Sequence, residues 1–189
     1  VFEEGTFPPD VRHDFDGHPC SHRKAHNVYG MQMVRATYNG IKKFLKPERP
    51  FAITRSAYAG AQRYGAVWTG DNVANWEHLK IANIQCQRLS TSGISFAGSD
   101  IGGCVEKPEG DLYPRWIQMA VFHPFFRTHT SGDHGDKEPW TFGPDYENII
   151  RKFIELRYQL LPYIYTTFWQ YSKEGTPMLR PLAFLDQTD

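Results

Sequence analysis

Residues 51–71, FAITRSAYAGAQRYGAVWTGD, hold two short apolar runs that each end in a chemically capable group. Residues 51–54 read as a buried strand that delivers Arg55 at its C-terminal end. Residues 64–68 read as a second strand, delivering Asp71 just past a Thr-Gly turn. The pattern recurs downstream: 93–98 leads to Asp100, and 122–126 leads into Arg127 and His129. Four strand-like segments, each with an ionisable residue at its C-terminal lip, are how a (β/α) barrel assembles an active site on one rim. The expected rim is Arg55, Asp71, Asp100, Arg127 and His129.

Between these strands the apolar spacing changes to three and four residues, the mark of one buried helix face. Val28, Met31, Val34, Tyr38, Ile41 and Leu45 predict a helix over 22–45, ended by Lys46-Pro47-Glu48-Arg49-Pro50. A second helix is expected over 73–91, with Trp76, Leu79, Ala82 or Asn83, Ile84 and Leu89 inward. A short third is expected over 112–121. A fourth, over about 146–171, is capped by Asp145, buries Ile149, Ile150, Phe153, Leu156, Leu160, Leu161 and Ile164, and is kinked or split at Pro162. Residues 1–21 read as a loop and 178–185 as one more strand. Alternating strands and helices imply a parallel sheet. A dinucleotide-binding sheet would need G-x-G-x-x-G after the first strand, and neither 60–62 nor 98–103 supplies it. Four strands make half of an eight-stranded barrel.

The 189 residues carry zero formal net charge and are 40% hydrophobic, which argues for a folded core. Nothing basic enough for nucleic acid or an anionic membrane stands out, and no apolar run reaches the roughly 18 residues that span a bilayer. Cys20, Cys86 and Cys104 are too few and too far apart to define a disulfide framework. The N-terminus, Val1-Phe2-Glu3-Glu4, reads as the interior of a longer chain, and compartment stays open.

Each rim residue also has a plainer reading. Asp71, beside Trp68, could be a general acid whose proton is held by desolvation, or the N-cap of the following helix. Asp100, among glycines, could form a turn or accept hydroxyl groups of a ligand. Arg55 could be a strand-end ion pair, and Arg127 and His129 ordinary rim groups. Their shared placement after successive strands favours the site. His13, His18, Cys20, His22 and His26 could in principle hold zinc, but their spacing matches no standard zinc module, and local hydrogen bonds account for them.

Over nearly its whole length the chain resembles glycoside hydrolase family 31, the retaining α-glucosidases and α-xylosidases. The segments that carry the resemblance are HRKAHNVYG, RPFAITRSAYAGAQRYGAVWTGDN, WEHLK, GISFAGSDIGG, RWIQMAVFHPFFRTH, EPW, LRYQLLPYIYT and GTPMLRPL, in that order. WTGDN and EHLK look most like α-glucosidases of the glucosidase II type and their bacterial relatives. The resemblance implies strands five to eight of a (β/α)8 TIM barrel over 1–177, with a C-terminal β-domain starting over 178–189. It assigns Asp71 as the acid/base, and Arg55, Trp68, Asp100, Arg127 and His129 to the sugar subsite, with neither metal nor cofactor. The implied substrate is an oligosaccharide or α-glucoside, and the implied partner is the remainder of the parent chain.

Two departures stand out. The family's nucleophile is the Asp of a W-x-D-M-N-E-P motif expected a few residues before Val1, and Asp10, Asp14 and Asp16 lack its context. Expressed alone, the chain is therefore expected to be inactive. Cys104 stands where many members carry Phe at the sugar edge, which leaves the sugar preference open. α-Xylosidase, transglucosidase and non-catalytic carbohydrate-binding relatives are the alternatives.

Overall fold

A computed structural model describes residues 7–46 and 48–186; the expected roles of Pro47 and of the first four residues lie outside them. The chain divides into two compact units, 1–65 and 66–189. In the first, β1 (Arg12–His13) and β2 (Cys20–Ser21) pair antiparallel, so the expected loop contains a short hairpin. Helix α1 (His22–Phe44) follows, burying His22, Ala25 and Val34. Leu45, expected on its inner face, lies past the helix end and is exposed. The strand expected over 51–54 shortens to β3 (Ile53–Thr54), and Arg55 comes directly after it on an exposed position. His13 Nε2 lies 2.8 Å from His22 Nδ1, and His22 Nε2 lies 3.1 Å from His26 Nδ1, so these imidazoles hydrogen-bond to one another.

The second unit carries three short parallel segments in chain order. β4 (Ala66–Trp68) pairs with β5 (Ala97–Gly98), in register Val67 with Ala97 and Trp68 with Gly98. One residue later the same run becomes β6 (Asp100–Ile101), which pairs with β7 (Arg127–Thr128). The fourth apolar run thus enters its strand later than the sequence suggests, at Arg127 itself. Residues 122–126 instead wrap the end of α3 (Leu112–Ala120), where His123 N–H still bonds Ala120 O.

Helix α2 (Trp76–Thr91) begins after the expected residue 73, and its N-cap is Asn75, whose side chain accepts the His78 N–H at 2.8 Å. Asp71 is therefore not the cap. The buried face of α2 is Ala82, Cys86 and Ser90, at four-residue steps, while Trp76 and Ile84, expected inward, are exposed. Small side chains at i, i+4 and i+8 turn that stripe inward, and burial pushes the Cys86 thiol up to about 12. Cys20, Cys86 and Cys104 are all buried free thiols.

Helix α4 (Pro144–Glu174) starts with Pro144 after Gly143, so Asp145 sits in its first turn rather than at its cap. The helix runs through Pro162 without splitting and stops at Gly175, whose φ of 73° is the left-handed conformation that favours glycine. Ile150 is fully buried, whereas Ile149 and Leu161, expected inward, are exposed. The core gathers Ala82, Ile101, Leu112, Tyr113, Trp116, Ile117, Ala120 and Ile150, so α2, α3 and α4 pack together behind β6.

The strand expected over 178–185 is not formed. Met178 N–H and Leu179 N–H donate to Ser95 Oγ and Ser90 Oγ, at 3.1 and 3.0 Å, rather than to a neighbouring strand. Pro181, which has no N–H, precedes a 3₁₀ turn at Leu182–Phe184. Among the described residues no helix is long and apolar enough to cross a membrane.

Candidate active site

Strand alternation sorts the second unit's rim residues before any side chain is considered. Paired residues of parallel strands share a face, and so do residues i and i+2. Trp68 opposite Gly98, then Asp100 two residues on and opposite Arg127, then His129 two beyond Arg127, all fall on one face. The other face takes Ser99 and Thr128, and both meet α3: Trp116 Nε1–H donates to Ser99 Oγ at 2.9 Å, and Tyr113 OH lies 3.2 Å from Thr128 Oγ1. The sheet thus has a core side and a chemical side.

On the chemical side Arg127 Nε donates to Asp100 Oδ1 at 2.7 Å. The Arg127 guanidinium also sits over Trp68 and Phe125, 5.1 and 5.4 Å from the ring centroids. Asp100 is fully buried, and burial raises its carboxyl pKa. The Arg127 bond and charge and the His129 charge pull the other way, while the Asp71 charge adds to the rise. Asp71 and His129 are therefore close enough to Asp100 for their charges to be felt there. On this face two buried polar atoms have no hydrogen-bond partner, Asp100 Oδ2 and Trp68 Nε1; Gln32 Oε1, Gln85 Oε1 and His123 Nδ1 are the others among the described residues. Unpaired buried polar groups are costly unless something else fills them.

Asp71 is exposed and lies on a turn held by its neighbours. Thr69 N–H donates to Gly98 O at 3.1 Å, Thr69 Oγ1 donates to Asn72 Oδ1 at 2.6 Å, and Gly70 takes a φ of 88°. Asn72 O then accepts from Cys104 N–H and Val105 N–H at 2.7 and 3.1 Å, and Val73 pairs with Val105. The loop bearing Asp71 and the loop after Asp100 are stitched together. Gly103 makes that possible: a Cβ there would sit 2.6 Å from Ala74 N, and its φ is 82°. Residues 130–137 brace the same loop, because Ser131 N–H and Thr130 Oγ1 donate to Cys104 O and the buried Lys137 ammonium donates to Gly103 O. Asp100, Cys104 and His129 each offer one ligand-type atom, all within 4.8 Å of one another.

Trp68, Asp71, Asp100, Arg127 and His129 are thus brought together in the second unit, while Arg55 belongs to the first, directly after β3. Two contributors, Lys137 and Arg157, were not read from the sequence, and a third, Cys104, only in part. Lys137 sits in a stretch of alternating charge that looks solvent-facing. Cys104 looked relevant only through the resemblance. Arg157 was hidden among the apolar positions of α4. It is buried, and its Nη1 donates to Val121 O and His123 O at 2.7 and 2.6 Å and its Nη2 to Pro124 O at 3.0 Å. This clamp fixes the turn from which Arg127 and His129 emerge.

The rim is that of a parallel α/β fold, with a paired acid and arginine beside an aromatic ring; residues 1–167 match the glycosyl hydrolases family 31 TIM-barrel domain, and the chain belongs to that family. Alpha-glucosidase 2 of Bacillus thermoamyloliquefaciens is 49% identical over 185 residues, covering 97% of this chain and 24% of its own length. Human neutral alpha-glucosidase AB is 46% identical over 180 residues, 95% of this chain and 19% of its own. A crystal structure of a glucosidase II alpha subunit bound to DNJ superposes with a TM-score of 0.91 at 40% identity, over 96% of this chain and 20% of that one. The chain therefore spans about a fifth of the length of the relatives it matches.

Proposed function

We propose that this chain carries the acid/base side of the active site of a retaining α-glucosidase that releases terminal α-linked glucose by double displacement. The observation that carries the reading is a donor and an acceptor, both buried and unpaired, on two residues that contact Arg127: Trp68 Nε1 and Asp100 Oδ2. An acceptor and a donor beside an aromatic face suit a sugar ring, whose hydroxyls both give and take hydrogen bonds. In this reading β3, β4, the β5–β6 run and β7 are strands five to eight of the barrel over 1–177, and 178–189 open a β-domain. Arg55 and Asp100 orient hydroxyls of the first subsite, Arg127 and His129 bond alongside, and Trp68 lines it.

Asp71 donates its proton to the glycosidic oxygen while a second carboxylate attacks the anomeric carbon. It then takes a proton from the water that hydrolyses the glycosyl-enzyme. Retention needs the two carboxyls about 5–5.5 Å apart. The attacking one is assigned to the family's W-x-D-M-N-E-P motif, which is not among these 189 residues. An exposed Asp71 on a braced turn suits a group that must meet substrate and water in succession. A non-catalytic carbohydrate-binding relative has no use for an acid/base at this position.

The test uses the full-length protein that contains this chain. Asp71→Asn should slow cleavage of a disaccharide by about 10²–10⁴-fold but spare an aryl glucoside with a good leaving group in single-turnover glycosylation. Equal losses on both substrates would reject the acid/base role.

A further inference from the structure

We propose that Asp100, Cys104 and His129 form a binding site for a soft divalent cation of the zinc type, and that the cation and the sugar exclude one another. The inference rests on the sugar-subsite reading for its second half only. A carboxylate oxygen, a thiol sulfur and an imidazole nitrogen within 4.8 Å of one another come from β6, the loop after it and the end of β7. These are the ligand types zinc prefers, and three protein ligands with a fourth position left for water is a common arrangement.

A second observation points the same way. Asp100 is fully buried and Arg127 takes only its Oδ1, leaving Oδ2 without a hydrogen-bond partner among the described residues. Cys104 is 3% exposed, and its backbone is pinned on both sides, N–H to Asn72 O and O to Ser131 N–H, which fixes the position from which its thiol projects. On binding, the Cys104 thiol loses its proton to solvent and a sulfur–metal bond forms. Asp100 Oδ2 and a neutral His129 nitrogen each contribute a lone pair, and no electron transfer is involved. Arg127 and Lys137 place positive charge nearby and weaken the cation's hold. The site is therefore a reversible one, filled when metal is plentiful and sugar scarce. Because Oδ2 is the atom a sugar hydroxyl would use, occupancy closes the subsite.

The experiment adds cobalt(II) or cadmium chloride to the metal-free full-length protein and follows thiolate-to-metal charge-transfer absorption. The expected result is a one-to-one titration whose band disappears in Cys104→Ser and in Cys104→Ala, and which a glucose-configured iminosugar displaces. Zinc chloride should inhibit aryl α-glucoside hydrolysis competitively. Its inhibition constant should rise at least ~10-fold in Cys104→Ser, each protein being referred to its own uninhibited rate. Absence of the band, or a band that survives both substitutions, overturns the site. A band that the iminosugar leaves unchanged overturns the exclusion. The absorbance reads the site even in a protein that hydrolyses no glucoside, so its failure is distinguishable from failure of the glucosidase reading.

Discussion

Arg127 and Arg157 sit on either side of one short segment, and they are used in opposite ways. Arg157 reaches that segment from α4, is buried, and donates to three main-chain carbonyls, of Val121, His123 and Pro124. Arg127 leaves the segment on the chemical side, is partly exposed, and holds only one oxygen of a buried carboxylate between two aromatic rings. In the first region the Arg157 charge is absorbed by acceptors fixed in the fold, and His123 Nδ1 is the buried atom left without a partner. The second is open, with Asp100 Oδ2 and Trp68 Nε1 still unpaired. Unpaired buried atoms occur in both regions; what distinguishes the second is that a donor and an acceptor without partners lie beside one guanidinium, as a ligand that both gives and takes hydrogen bonds requires.

The largest effect should separate the two regions by activity. In the full-length protein Asp100→Asn should lower kcat/KM by at least ~10²-fold, because a carboxylate that orients both Arg127 and substrate is lost. Its melting temperature should hardly change, since removing a buried charge also removes a desolvation cost. A large melting shift with near-normal kcat/KM would reverse the assignment.

Arg157→Leu should do the opposite. Three buried carbonyls lose their donor, which costs about 3–5 kcal/mol, read as a lower urea midpoint. The remaining folded enzyme should keep the Asp71 leaving-group dependence, because the clamp touches no substrate.

A smaller effect is expected from His123, buried behind the same segment with Nε2 3.3 Å from Asn83 Oδ1. Burial first, and then the Arg157 charge, lower its pKa to about 4. The unfolded chain binds this proton near pH 6.5, so between about 6.5 and 4 the unfolded state holds more protons than the native one. Stability is complete above that window and falls as pH drops through it, by about 3 kcal/mol in all. Asp100, whose carboxyl is raised, works with the opposite sign, losing stability as pH rises through its folded pKa. Urea titrations at a series of pH values should therefore show a shallower acid loss in His123→Gln and a steeper one in Asp100→Asn.

How much of this was legible in the sequence follows from the kind of interaction involved. Apolar runs ending in Asp71, Asp100 and Arg127 could be read because a strand end and a polar residue are adjacent in the chain. The face shared by Trp68, Asp100, Arg127 and His129 could not, because it depends on which residue pairs with which, and strands of two or three residues carry too little alternation to show it. Arg157 and Lys137 were missed because a charged residue inside an amphipathic or polar stretch reads as solvent-facing until its acceptors, main-chain carbonyls 33 to 36 and 34 residues away, are seen. From the residues alone Asp71 could be a cap as well as an acid, because Asp is a good cap; Asn75, an equally good one four residues later, holds that role.

The central claim, that Asp71 is the acid/base rather than the nucleophile, has a direct chemical test. Asp71→Ala in the full-length protein is incubated with an activated aryl α-glucoside and azide, and the glucosyl azide formed is characterised by its anomeric configuration. With the acid/base removed, the glycosyl-enzyme still forms and azide attacks it from the face that Asp71 vacated, so turnover recovers and the product is the α-azide, of retained configuration. The β-azide would mean that azide had replaced the attacking carboxylate itself, and would contradict the account.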